Sequence, residues 1–270
     1  MAHLNTPISK VSSVFRIRSE GMALRACARV FDMNKSTITK WEVKFSKQKE
    51  PLMLYGLCHK FISLTFEGDE LYTVVNKRGE AYDSEGWTAV IMDRSSCFIV
   101  EQRCGKKDQE MFENIMKTVV EYISNSQDFT FLSDGERRYG NTIFDLCARE
   151  LRRGLRGRPP KTLPKGVKVR IKNKGSQAHK RGPKRPKYEA PKREHPDTSQ
   201  TLNSSDIHAN HVEAQNGSLR RRNSAFIRRT NTYAKNKEAL QRTLDVHQII
   251  HVCTQPLDNW CRSFCGFGHH

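Results

Sequence analysis

Asp69 is the residue whose type and setting most directly suggest chemistry. It lies in Phe-Ile-Ser-Leu-Thr-Phe-Glu-Gly-Asp-Glu-Leu-Tyr-Thr-Val-Val-Asn, residues 61–76, an aromatic and β-branched run that reads as a buried strand. Asp is depleted in strands and costs free energy when buried without a partner, a cost that a bound cation would offset. Side chains alternate across a strand, so Asp69 and Glu70 must point to opposite faces and only one can serve a given site. We assign that role to Asp69; the plainer alternative is that the pair marks a strand end turned to solvent. A second acid, Asp134, closes the short apolar run Phe129-Thr130-Phe131-Leu132-Ser133-Asp134-Gly135.

The elements between these acids must bring them together. Trp87-Thr88-Ala89-Val90-Ile91-Met92 and Cys97-Phe98-Ile99-Val100 read as two further strands around the turn Asp93-Arg94-Ser95-Ser96. Residues 108–125 carry Met111, Phe112, Ile115, Met116, Val119, Val120 and Ile123 at helical spacing. Three strands, a helix and a fourth strand form the order of a ribonuclease-H-like core, an α/β fold with a mixed sheet. In such a sheet the crossover returns the fourth strand beside the first, so Asp134 is expected next to Asp69. Two later helices are expected at 207–229 and 236–252. Glu213, Asn216 and Arg220, at offsets of three and seven, share one face of the first.

The charge is concentrated between these halves. Of the formal +18, residues 151–193 supply 17 Lys and Arg against the single acid Glu189, and the remainder is nearly neutral. Seven of the ten prolines fall in 151–196, which argues against regular helix there. Such a block favours a polyanionic partner, and we read 151–200 as a basic, Pro-rich insertion. Within it Arg156-Gly157-Arg158-Pro159 resembles a short hook for A·T-rich minor grooves, through Arg156 and Arg158. Residues 166–172 alternate apolar with basic, so Lys168, Arg170 and Lys172 could grip phosphates from the outer face of a strand.

Upstream, Ala23, Leu24, Cys27, Val30 and Phe31 form a helical stripe that ends at Asp32-Met33-Asn34, and a second helix follows from Lys35 to Phe45 with Ser36 and Thr37 as candidate caps. Residues 1–50 thus read as a helix-turn-helix, with Asp32 where a turn glycine is usual and Lys35, Ser36, Thr37, Thr39 and Lys40 offered to a major groove. An ordinary helical hairpin is the alternative. The eight cysteines show no Cys-x-x-Cys pair and no signal peptide precedes them, which points to a reduced, cytoplasmic protein. Cys261, Cys265, His269 and His270 fit no common zinc spacing. No apolar run is long enough to span a bilayer.

Three motifs together carry a family resemblance: Asp69-Glu70-Leu71-Tyr72, Leu132-Ser133-Asp134-Gly135, and His208-Ala209-Asn210-His211-Val212-Glu213-Ala214-Gln215-Asn216 with Leu219-Arg220-Arg221-Arg222-Asn223. Over roughly residues 15–252 the chain resembles bacterial insertion-sequence transposases of the IS-one type. The resemblance implies a ribonuclease-H-like fold split into 51–150 and 201–252, and an Asp-Asp-Glu (DDE) triad of Asp69, Asp134 and Glu213. It also implies Mg²⁺ or Mn²⁺ as cofactor, and double-stranded DNA, both element ends and target, as partner. Asn216 and Arg220 would then face DNA, the protein would act as a homo-oligomer in a synaptic complex, and it would work at the bacterial nucleoid. Carboxylates that converge on one point suit hard cations, and two such ions support in-line phosphoryl transfer without a covalent protein intermediate, so neither Tyr72 nor Tyr139 is needed as a nucleophile. The chain departs from the family in three ways: no cysteine precedes Cys27 to build a zinc module, Gln215 and Gly217 interrupt the triad helix, and residues 253–270 differ from the usual ending. The alternative is therefore an inactive remnant that only binds DNA.

Overall fold

The computed structural model describes residues 5–76, 80–123, 128–154, 156–173, 188–198, 202–203, 205–227 and 232–254. Most of the expected ending, with Cys261, Cys265, His269 and His270, lies outside the described residues, as does 174–187 of the basic block.

The alternating run builds β1 (Thr65–Tyr72), which pairs antiparallel with β2 (Trp87–Asp93), and β2 pairs antiparallel with β3 (Ile99–Gly105). The crossover helix α5 (Gln109–Tyr122) starts where the Asp108 carboxylate accepts the Met111 N–H, an N-cap, and buries the Met111, Phe112, Ile115, Met116 and Val119 stripe. It returns the chain to β4 (Asp128–Asp134), parallel to β1. Next to β4, and parallel to it, lies β7 (Gly166–Lys172), and the two-residue β8 (Tyr188–Glu189) closes that edge. The sheet order is β3-β2-β1-β4-β7-β8, the topology of a ribonuclease-H-like mixed sheet.

Residues 166–172 therefore belong to the core sheet rather than to an insertion outside it. Val167, Val169 and Ile171 are buried, and the strand covers the edge of β4 that would otherwise stay unpaired. The rest of the described basic region includes a short ribbon, β5 (Arg149–Glu150) against β6 (Lys161–Thr162).

Each face of the sheet has its own core. On one, Phe66, Phe131, Val167 and Val169 meet α5 and the helix α6 (Arg137–Cys147), whose Tyr139 is fully buried. Gly68 sits under these rings: a Cβ there would lie 2.6 Å from Phe131 Cζ and 3.3 Å from Tyr139 Cζ, so only hydrogen fits. On the other face Leu71, Val90, Met92 and Ile99 pack against α7 (Asn210–Arg222), through Val212 and Leu219, and α8 (Lys237–Thr254), through Leu240 and Leu244. The helix expected over 207–229 is the shorter α7, which ends at Asn223, whose side-chain oxygen accepts the Ala225 N–H.

Four helices precede the sheet: α1 (Ile8–Ser19), α2 (Leu24–Val30), α3 (Lys35–Ser46) and α4 (Lys49–His59). The turn between α2 and α3 places Asp32 at φ 47°, the left-handed conformation its sequence position requires. The cap of α3 is Asn34 rather than Ser36 or Thr37: its side-chain oxygen accepts both the Ser36 N–H and the Ser36 hydroxyl, each at 2.9 Å. Ile38 and Trp41 turn inward with Val14, Phe15 and Cys27, and Val246 of α8 joins them.

Candidate active site

Strand alternation decides the geometry around Asp69. Glu67 and Asp69 face α7, whereas Glu70 faces the α5 and α6 side, where its carboxylate takes the Lys107 ammonium at 2.7 Å. Burial raises the Glu70 carboxyl above its usual range even with Lys107 opposing it. Asp69 is half-buried, its Oδ2 accepts the side-chain N–H of Asn216 at 2.9 Å, and its backbone carbonyl accepts the Tyr139 hydroxyl at 3.5 Å.

Asp134 stands beside it. The parallel ladder pairs Gly68 with Ser133, so the next residue of each strand is Asp69 on β1 and Asp134 on β4. On its other side Asp134 is in register with Lys172 of β7. Gly135 follows at φ +77°, a conformation glycine adopts freely, and turns the chain away directly after the acid.

Glu213 lies in the first turn of α7 with an exposed side chain, one turn before Asn216. The residue of α7 that touches Asp69 is thus Asn216, which is 2% exposed and has an Oδ1 with no hydrogen-bond partner among the described residues. This corrects the expectation that Asn216 faces DNA: Val212, Asn216 and Leu219 share the stripe laid on the sheet, and burial of that stripe takes the amide inward.

What seats α7 is Glu67, 0% exposed and missed in the sequence. Its Oε2 accepts the backbone N–H groups of His211 (2.9 Å) and Val212 (3.1 Å), while Oε1 accepts Arg94 Nε (2.6 Å) and His211 Nδ1 (2.8 Å). Burial opposes its ionisation, but the His211 hydrogen bond, the Arg94 charge and the Val212 amide outweigh that and hold the carboxyl below the usual range. Burial and the Arg94 charge push His208, beside this group, below the usual histidine range. One signal could have found Glu67: two residues before Asp69, it must share that residue's strand face.

The remaining expected DNA contacts fall in different settings. On α3, Lys35, Ser36 and Lys40 are exposed and Thr37 and Thr39 half-buried, with the Thr39 hydroxyl donating to the Lys35 carbonyl. Arg156 and Arg158 are exposed in the connection between β5 and β6. Lys168 is 7% exposed and Arg170 is ion-paired with Glu194, so neither is presented on an open outer face; the strand that carries them became interior to the sheet. Lys172 and Arg220 are half-buried. A polar cleft of about 490 Å³ lies along the β3 edge, lined by Lys49, Arg103, Lys106, Lys237 and Asp245 among others, and contains none of the three acids.

The structure brings Asp69 and Asp134 to adjoining strand positions, with the unpartnered Asn216 oxygen on the helix that faces Asp69, but it does not draw Glu213 into a cluster with them: among the described residues the ligand atoms that lie within 4.8 Å of one another are those of Glu67, His208 and His211. Carboxylate and amide oxygens of the kind Asp69, Asp134 and Asn216 carry suit a hard divalent cation. Among the described residues no helix is long and apolar enough to cross a membrane.

No protein-family model matches the chain, and no curated protein does. Among solved structures it is similar to the Mos1 transposase paired-end complex with left transposon end, at 12% identity and TM-score 0.31, covering 96% of this chain and 75% of that one. It is also similar to the Mos1 Strand Transfer Complex, at 11% identity and TM-score 0.32, covering 98% and 77%. Against the Mos1 mariner paired end complex with Mn the identity is 12% and the TM-score 0.21, over 54% of this chain and 58% of that one.

Proposed function

We propose that the chain is a DDE-class transposase of the bacterial insertion-sequence, IS-one type, which cuts DNA at its element's ends and joins the freed 3′ ends to target DNA. The observation that carries this reading is the adjoining positions of Asp69 and Asp134 on parallel central strands, with the helix that bears Glu213 packed on β1 and β2 and touching Asp69 through Asn216. Asp69, Asp134 and Glu213 would hold Mg²⁺ or Mn²⁺, which supplies a low-pKa bound water and charge neutralisation at the transferring phosphoryl group. Asn216 holds one oxygen of Asp69 by its amide and so fixes the rotamer of that carboxylate.

Residues 1–50 serve as the DNA-binding region, with Lys35, Ser36, Thr37, Thr39 and Lys40 toward a major groove. Arg156 and Arg158 reach a minor groove, and Lys172 and Arg220 lie toward the phosphates near the acids. The core comprises 51–150 and 201–252 together with the strand at 166–172, and the protein works as a homo-oligomer on DNA in the bacterial cytoplasm. The test is a cleavage and strand-transfer assay on DNA carrying the element's terminal repeats. Activity that needs Mg²⁺ or Mn²⁺ and is lost in Asp69→Asn supports the reading. A wild-type protein that binds this DNA but neither cuts nor joins it leaves the inactive DNA-binding remnant instead.

A further inference from the structure

α7 has no capping side chain at its N-cap residue, and the local acceptor at its start is the His208 ring, whose Nδ1 accepts the Asn210 N–H at a long 3.4 Å. Ala209 occupies the N-cap position, yet the helix carries Glu213 in its first turn. The first N–H groups of a helix need acceptors and favour negative charge. Here the charged acceptor comes from the sheet: Glu67 takes the N–H groups of His211 and Val212 on one oxygen, and Arg94 and the His211 ring on the other. Arg94, in the turn between β2 and β3, also donates to the carbonyls of Asp206 (2.8 Å) and His208 (2.6 Å), in the segment that leads into the helix. One buried carboxylate therefore ties together β1, the β2–β3 turn and the start of α7.

The spacing gives this tie a consequence at the site. Glu67 is two residues before Asp69 on the same strand face, and the N–H groups it holds belong to the two residues directly before Glu213. The ligand atoms of Glu67, His208 and His211 lie within 4.8 Å of one another, a spacing that could hold a metal ion. Arg94 Nε, however, already sits 2.6 Å from the oxygen such an ion would need, and two amides hold the other oxygen, so a metal would have to displace a bound cation. The arrangement is a latch rather than a metal centre.

We infer that Glu67 is a positioning residue: held by Arg94, it caps α7 from within the sheet and sets where Glu213 and Asn216 stand relative to Asp69. The activity part of this inference rests on the transposase reading; the structural part does not. The test uses the full chain with Glu67→Gln and Arg94→Gln. Hydrogen exchange at the His211 and Val212 amides, measured without metal or DNA, should lose protection about tenfold in Glu67→Gln, since a charged acceptor becomes a neutral one. In Mn²⁺-dependent cleavage, the Mn²⁺ concentration for half-maximal rate should rise about 10-fold or more, while the Kd for DNA stays within about twofold. A loss of folded protein alone would lower the rate at every Mn²⁺ concentration and leave the midpoint in place. Unchanged amide protection, or an unchanged midpoint in an active variant, overturns the inference. If the wild type shows no cleavage, the transposase reading fails and amide exchange alone decides the latch. If Glu67→Gln does not fold, Arg94→Gln decides, because the Arg94 side chain is 19% exposed and its loss is the milder change.

Discussion

Acidification from pH 7.5 to 5.5 should destabilise the protein through two histidines buried under the sheet. His247 and His251 lie one turn apart on α8, with rings 6.1 Å apart, and pack toward β3. Gln102 Nε2 donates to His247 Nδ1 at 3.5 Å, and His251 Nε2 donates to the Cys97 carbonyl at 3.1 Å. Burial, then the partner His251 and Arg222, pushes His247 down to about 3 from 6.5. Burial, with Lys60 and Arg222 adding to it against the Cys97 bond, pushes His251 down to about 4 from 6.5. Both folded-state values are depressed, so the unfolded chain binds more protons below pH 6.5 and the stability present above 6.5 falls as pH drops toward 4. At pH 5.5, one unit below the unfolded value, each ring costs about 1.4 kcal/mol, or about 3 kcal/mol for the pair. For a domain this size that is roughly 6 to 12 °C in Tm. His208, half-buried and depressed by burial and Arg94, adds a smaller loss in the same window; Glu67, also depressed, loses stability only below 4.5, while the raised Glu70 carboxyl works in the opposite direction. Urea and thermal unfolding of wild type and of the double variant His247→Gln, His251→Gln separates these contributions. If the double variant shows the same drop between pH 7.5 and 5.5, the burial argument for the two histidines is wrong.

Three further outcomes follow from the packing and the charge. Gly68→Ala should cost about 1 to 3 kcal/mol, because the Phe131 and Tyr139 rings must move; an unfolding midpoint within experimental error of wild type would contradict the close approach. Asn216→Ala should leave the fold intact and lower the rate of any Mn²⁺-dependent cleavage about 10-fold or more, since Asp69 loses the amide that orients it; an unchanged rate removes Asn216 from the site. Arg156→Gln with Arg158→Gln should make the slope of log affinity against log salt shallower by about 2, whereas Lys35→Ala with Lys40→Ala should also reduce discrimination between terminal-repeat and random DNA; equal effects on both DNAs would place α3 outside sequence readout.

Periodicity carried the parts of the fold that depend on one segment at a time. The alternation in 61–76, the α5 stripe and the strand ending at Asp134 each bury one face, so their pattern is visible locally and their order implies the topology. α4 was not legible because Leu52, Met53, Leu54, Tyr55 and Leu57 form a nearly continuous apolar run, with Pro51 in the first turn, where its missing N–H costs nothing. α6 was hidden by its polar composition: it buries Tyr139, Gly140, Thr142 and Ile143, a narrow and partly polar stripe. The alternation in 166–172 shows a strand but not its place in the sheet, since the neighbour that buries β7 is β4, more than thirty residues upstream. The same holds for the site. Asp69 and Asp134 could be set side by side from element order, whereas the Glu67 contacts to His211 and Val212 span 144 and 145 residues and leave no local pattern.

Whether Asp69, Asp134 and Glu213 form one metal site is decided by a crystal structure of the full chain with Mn²⁺, in which anomalous scattering locates the metal. Mn²⁺ is expected within about 2.0 to 2.6 Å of carboxylate oxygens from both Asp69 and Asp134, with Glu213 in the same cluster. A Mn²⁺ peak only at Glu67, His208 and His211, or the Asp69 and Asp134 carboxylates held apart with no metal between them, would contradict this.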